Sequence, residues 1–305
     1  TFTVMLANGW DGYLPPPEQM LMGGYTTWLA RSSCLEPEAE PKIRARVMQL
    51  LETAASGYRR AEARPAPPAY AAAVLASKPA RYWRLDDLEG PEALDAIEGK
   101  GCGRFNTPTA YGMPGPQAPD FPGFEAGNRA PHFVGQPLRA KIGQLGPAYT
   151  IELWFYNCMP ADARPVTGCL FALGQSATAA APGERLEIGG QDAQPGKLVA
   201  HTGGEPRASL AGATDVPLRN WVPRESWRHV TLVRDGEQVR VYLDGQLEPE
   251  VSGASAPPSA VDQIWIGGRS DGQFGFEGRI DEVAVYGRAL SADEVKNHYE
   301  AATGR

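Results

Sequence analysis

The 305-residue chain has no apolar run near the roughly 18 residues that a membrane-spanning helix requires, so no membrane span is expected. Cysteine is scarce: Cys34, Cys102, Cys158 and Cys169 are the only four. None forms a CxxC pair or lies near a histidine at zinc-finger spacing, which argues against a structural zinc site of that kind. No GxSxG is present, so a nucleophile-elbow hydrolase has no support. No GxxxxGK[ST] and no strand-borne GxGxxG occurs, so nucleotide binding has none either. Positive charge is also short. Lys and Arg total 29 against 36 Asp and Glu, a net of −7 without a basic stripe, and nucleic acid is not an expected partner. The chain begins Thr1-Phe2-Thr3-Val4-Met5-Leu6-Ala7, strand-like and without an initiator Met or a basic leader. The expectation is a chain that starts inside a longer protein or after processing.

What is present is turn chemistry. The 35 Gly and 28 Pro favour many short elements over long helices. Residues 1–56 read as one strand (Phe2 to Ala7), a loop, and a helix from Glu36 to Ala55. In that helix Ile43, Val47, Leu50 and Leu51 recur at helical spacing. One strand and one helix cannot enclose a core, so this segment must pack on something else. Residues 57–69 include GYRRAEARPAPP, charged and Pro-rich, and are taken as a linker. Residues 70–305 form the main domain.

From Tyr70 onward, short alternating runs are separated by turn signals. YTIELWFYN (149–157) places Ile151, Leu153 and Phe155 on one side and Glu152, Trp154 and Tyr156 on the other. Residues 169–173 are taken as its return strand. Cys158 and Cys169, flanking the loop between the two, are either a disulfide stapling neighbouring strands or two buried thiols. Arg185 to Ile188 and Lys197 to His201 form another pair. Asp235-Gly236 and Asp244-Gly245 punctuate Trp227–Leu243 as hairpin turns. Gln263–Gly267 and Gly278–Tyr286 complete the set, and Ser291-Ala292-Asp293-Glu294 opens a helix. Strands at this spacing without intervening helices imply a mainly β, two-sheet antiparallel β-sandwich.

Four segments carry a family resemblance: PARYWRLDD (79–87), YTIELWFYN, ESWRHVTLVRDGEQVRVYLDG (225–245) and GRIDEVAVYGRALSADEV (278–295). In this order they resemble the concanavalin A-like, laminin-G-like (LamG) jelly roll over residues 70–302. The resemblance implies two curved antiparallel sheets with first and last strands adjacent, glycan or protein ligands, and in many members one calcium ion. It points to Asp281 and to Asp86 and Asp87 as calcium ligands. Calcium takes six to eight oxygens, which carboxylates and loop carbonyls supply together. Asp281 also invites the question by itself, because a carboxylate pair, Asp281-Glu282, is unusual inside a strand. The other reading is ion pairing with Arg279 or Arg288, or a solvated edge.

If the second faces of the strands coincide, they present Trp154, Tyr156, His229, Arg240, Tyr242 and Trp265. Such a surface would stack on sugar rings and bond their hydroxyls, unless a covering loop or docked segment buries it. Glycosidic hydrolysis is not expected, because Glu152 has no second acid at an alternate position.

A shorter stretch, NGWDGYLPPPEQMLMGGYT (8–26), resembles the end of the catalytic domain of neutral ceramidases, which are zinc-dependent amidases. It implies Tyr13 as a zinc ligand, in company with His and Glu from an upstream domain or partner chain packed on residues 1–56. The reading is therefore a secreted, cell-surface or periplasmic binding module for a glycan or glycoconjugate. The alternatives are the C-terminal part of a zinc amidohydrolase and an adhesion scaffold.

Overall fold

The computed structural model describes residues 13–24, 27, 35–57, 66–88, 90–106, 109–175, 183–191, 194–202, 209–211, 225–258 and 260–305. The chain divides into two compact units, Thr1–Pro65 and Ala66–Arg305. Among the described residues no helix is long and apolar enough to cross a membrane.

In the first unit α1 is Pro17–Met22, opening on prolines pre-set for a first helical turn and stopped by Gly23 at φ 75°. This helix falls where a loop is expected from the sequence. The anticipated longer helix is α2, Ala39–Gly57, and its Ile43, Val47, Leu50 and Leu51 are all exposed. The strand expected at Phe2–Ala7, together with Cys34, lies outside the described residues.

The second unit starts with helix α3 (Ala69–Ala76). The strands follow: β1 Arg81–Trp83, β2 Glu92–Asp95, β3 Lys100–Phe105, β4 Thr109–Pro114, β5 Arg129–Val134, β6 Leu138–Leu145, β7 Ala148–Asn157 and β8 Val166–Gly174. Then come β9 Arg185–Gly189, β10 Leu198–His201, β11 Ser209–Ala211, β12 Trp227–Asp235, β13 Gln238–Leu243, β14 Val251–Ala254, β15 Val261–Ile266 and β16 Glu277–Tyr286. Helix α4, Ala292–Thr303, ends the chain. Ser291 caps it and Glu294 reaches back, the reciprocal box anticipated from Ser-Ala-Asp-Glu.

Hydrogen bonding runs in the order β11-β10-β9-β8-β15-β6-β3-β2-β1-β16-β7-β12-β13-β14, with β5 joining β16 and β4 joining β5. This ribbon doubles over one core. Ile151, Leu153 and Phe155 of β7 and Val283 and Val285 of β16 share a buried cluster with Leu170 and Leu173 of β8 and Ile264 and Ile266 of β15. The result is two antiparallel layers, one centred on β16 and β7, the other on β8 and β15, with β2 linking them. The first and last strands of the unit are neighbours, Trp83 opposite Val283.

Three sequence expectations are corrected. First, β8 is not the return strand of β7. It pairs with β15 and β9, while β7 pairs with β16 and β12. Cys158 and Cys169 therefore do not sit on neighbouring strands, and no disulfide joins them. Cys169 is a buried thiol.

Second, simple alternation puts Asp281 on the face of Val283 and Val285. The structure inserts a bulge instead. Asp281 stands opposite Trp154, yet Ala284 stands opposite Glu152, so three steps on β16 match two on β7. Glu282 absorbs the extra residue at φ 53°. Asp281 and Val283 thus face opposite ways, and both carboxylates are fully buried, so neither occupies a solvated edge.

Third, the six residues assigned to one ligand face divide between the layers. Trp154, Tyr156, His229, Arg240 and Tyr242 belong to β7, β12 and β13, and Trp265 belongs to β15.

Candidate functional site

The outer face of the β7 layer is covered over its centre. Helices α3 and α4 lie on it, and Tyr70, Val74, Leu290, Val295 and Ala302 join Trp154, Val233, Tyr242 and Tyr286 in a second apolar cluster. Trp154 is surrounded by rings: Phe121 at 5.0 Å, His229 at 5.1 Å, Phe124 at 5.4 Å and Tyr299 at 5.9 Å between centroids. Trp154 and His229 are both wholly inaccessible, and Tyr242 retains 6% exposure. They cannot stack on a sugar, because the helices occupy the space a ligand would need. Tyr156 and Arg240 remain half-buried. Arg279 lies over the Tyr156 ring at 3.8 Å from its centroid.

Beneath the helices Glu152 collects four donors. Tyr70 Oη donates to it at 2.7 Å and Tyr286 Oη at 3.1 Å. His229 Nε2 lies at 3.1 Å and His298 Nδ1 at 2.9 Å. A carboxylate only accepts, so each histidine presents an N–H to it. The far nitrogen of His298, Nε2, meets Ser77 Oγ at 2.8 Å. Burial by itself would raise the Glu152 pKa, but the two histidines outweigh it and hold the carboxyl well below its ordinary range. Burial likewise opposes a charged His298, and the Glu152 carboxylate overrides it and raises that imidazole. With every partner internal, this network clamps α3 and α4 to the sheet and leaves no room for a reactant.

The carboxylates of the bulge have partners as well. Asp281 Oδ2 accepts from Asn128 Nδ2 at 2.8 Å, and Oδ1 accepts from the Glu282 amide at 3.1 Å. Burial, and then the adjacent Glu282 carboxylate, push the Asp281 carboxyl well above its usual range. Glu282 binds the Tyr82 hydroxyl and pairs with Arg84 at 2.8 Å. Asp87 accepts from the Leu94 amide at 3.1 Å, and Asp86 is half-buried. Among the described residues no three His, Cys, Asp or Glu side chains are grouped to hold a metal ion, whether around Asp86, Asp87 and Asp281 or around Tyr13.

The outer face of the β15 layer has a different character. Arg139 and Lys141 on β6 point outward and are exposed, while Ala140 and Ile142 between and beyond them turn into the core. Gln263 stands opposite Lys141, and Trp265 opposite Arg139. Arg139 Nε donates to Gln263 Oε1 at 2.8 Å, and its guanidinium lies 5.7 Å from the Trp265 ring centroid. The indole lies across Gly174, where an added Cβ would come within 2.8 Å of it. A depression of about 350 Å³ opens here, lined by Cys102, Arg139, Ala140, Lys141 and Gln263. Trp265, 8% exposed, is the one sequence-predicted ligand residue on this layer, and it packs beside Arg139, which lines the depression. Arg139, Lys141 and Gln263 were missed, although the alternation of LRAKIGQL shows two of them facing away from the core.

A family model described as the concanavalin A-like lectin/glucanases superfamily matches residues 138–296. The chain belongs to that superfamily. Among solved structures it is similar to domain 4 of AbnA, an extracellular GH43 arabinanase from Geobacillus stearothermophilus, solved in complex with arabinotriose. The identity is 20% and the TM-score 0.51, over 73% of this chain and 98% of that one. It is also similar to the receptor-binding domain of botulinum neurotoxin type G, with 11% identity and a TM-score of 0.50 over 73% of this chain and 51% of that one. At these identities the likeness concerns the fold. No curated protein matches the chain. The resemblance of residues 8–26 to neutral ceramidases receives no support from these comparisons. The superfamily fold explains why β1 and β16 are adjacent, and it leaves the choice of ligand to the surface.

Proposed function

We propose that this lectin-like chain is a carbohydrate-binding module that takes its saccharide on the outer face of the β15 layer. The observation that carries the reading is the contrast between the two outer faces. One is closed by helices, and the other presents an open depression rimmed by a guanidinium, an ammonium and a side-chain amide beside an indole. Such groups supply the hydrogen bonds that hydroxyl-rich ligands require, and the indole edge adds apolar contact. The arabinotriose complex of a domain with this fold supports the reading. Arg139, Lys141, Gln263 and Trp265 are the contacting residues. The reading places the chain where saccharides are displayed: outside the cell, on its surface, or in the periplasm.

The test is a screen of immobilised oligosaccharides with the full chain, followed by calorimetry on any hit. Gln263→Ala and Lys141→Ala are expected to weaken binding by about tenfold each, the loss for one hydrogen bond to a charged or amide group. Binding unchanged in both variants would move the site elsewhere. Capture of protein partners without any saccharide binding would favour the adhesion alternative.

A further inference from the structure

The β15 layer carries more positive charge than the protein as a whole would suggest. Cross-strand partners lie on one face of a sheet, so the register can be followed outward from Trp265. Trp265 stands opposite Arg139 on one side, and Arg139 stands opposite Arg104. On the other side Trp265 faces Ala172, Ala172 faces Arg185, and Arg185 faces His201. This single row crosses six strands, roughly 24 Å at the usual spacing between strands. Lys141 extends it in the next row.

Glu92 stands opposite Arg104 at the end of the row without forming an ion pair with it, and a second carboxylate, Glu187, stands in the neighbouring row. It is buried and already shared by Arg185 at 2.8 Å, Arg269 at 2.5 Å and His201 at 3.0 Å. Arg104, Arg139 and Lys141 are exposed, and no carboxylate among the described residues forms an ion pair with any of them. Two arginines directly opposite each other repel. In a chain of net charge −7, the facing Arg104–Arg139 pair, with Lys141 beside it, outnumbers the one carboxylate that faces it, Glu92, and is a local reversal of sign.

We infer that this row recognises an acidic oligosaccharide, one bearing carboxylate or sulfate groups and laid across the strands. The inference rests on the carbohydrate reading and adds the charge class. The anionic groups meet Arg104, Arg139 and Lys141, which gain the opposite charges they lack, and the sugar ring beside them reaches the edge of Trp265. Guanidinium groups suit this task, because their forked donors match the planar oxygens of a carboxylate.

The experiment compares an oligogalacturonate with its fully methyl-esterified form, which has the same skeleton without the charge, using the full chain at low and at moderate salt. The acid is expected to bind at least about tenfold tighter than the ester at low salt. That advantage should shrink as salt rises. Arg139→Gln and Lys141→Gln should each remove most of the advantage, weakening the acid far more than the ester, with unchanged circular dichroism. Lys296→Gln, on α4, should alter neither. A sulfated oligosaccharide as a third ligand shows which acid group is preferred, and preference for either supports the inference. Equal, salt-insensitive binding of acid and ester overturns the charge class but leaves the carbohydrate reading standing. Binding of neither overturns both. A single-stranded DNA oligonucleotide of matching charge that binds as tightly as the uronide also overturns it, since the row would then be reading charge alone.

Discussion

The Nδ1 of His298, on the last helix, lies 2.9 Å from a carboxylate oxygen of Glu152, on the central strand, across 146 residues of sequence. Both groups are buried, and each shifts the other toward its charged form. Glu152→Gln removes the only anion of this cluster and leaves the histidines facing an amide. Loss of one partner of a buried pair costs about 3–5 kcal/mol. Urea unfolding should show a loss of that size.

The same pair sets a pH window. His298 is raised in the folded state, so its contribution is fully present below its ordinary value of 6.5 and is lost as pH rises through the folded value. Glu152 is lowered, so its contribution is present above its ordinary value of 4.5 and is lost as pH falls through the folded value. Tyr70 and Tyr286, which also face the carboxylate, are pushed upward by burial first and then by Glu152, and stay protonated throughout. Thermal midpoints measured against pH should therefore be highest in mildly acidic buffer. His298→Phe should flatten the alkaline limb; a limb of unchanged steepness would remove His298 from this role.

Trp154 separates a structural ring from a ligand-stacking one. Trp154→Ala should cost about 3–5 kcal/mol through the cavity it leaves. Trp154→Phe, which keeps most of the ring packing, should leave saccharide affinity unchanged in calorimetry. A large affinity loss with intact folding would return Trp154 to the ligand surface.

Gly123 sits where α4 passes closest to the loop below it. A Cβ there would lie 1.9 Å from the Ala301 carbonyl oxygen. Gly123→Ala should therefore destabilise by about 1–3 kcal/mol, the usual range for overpacking. Denaturant titration would measure it, and a neutral result would mean that the helix can shift away freely.

Peptide mapping after alkylation of the folded and unfolded chain tests the thiols. Cys169 is buried, and burial raises its pKa well above the usual thiol value. It should react only after unfolding, and Cys158 and Cys169 should never appear as a linked pair.

Much of the β framework was legible because alternation reports inward and outward positions directly. YTIELWFYN and WRHVTLVRD became β7 and β12, and Asp-Gly marked the turn between β12 and β13. Pairing was less legible. Nothing in residues 158–168 shows that the chain crosses to the other layer instead of turning back. The bulge at Glu282 also escaped, since one extra residue reverses every later facing without altering the apolar pattern. The largest misreading concerned solvent. Alternation separates two faces but does not say which is wet, so Trp154 and His229 looked like ligand contacts. A clue was available in AYAAAVLA, a helix apolar nearly all round, which requires a surface to cover. The face that stayed open announced itself only through Arg139 and Lys141.

The carbonyl of Gly123 accepts a hydrogen bond from the Tyr70 amide at 3.1 Å, and its N–H donates one to the Ala302 carbonyl at 2.9 Å. The first and last helices of the second unit are thus fastened to a single residue. A polypeptide that arrives and departs at one spot can be spliced into a host chain like a bead on a loop, with neither neighbour stretched to accommodate it. The open face of the β15 layer lies on the side of the sandwich away from that spot.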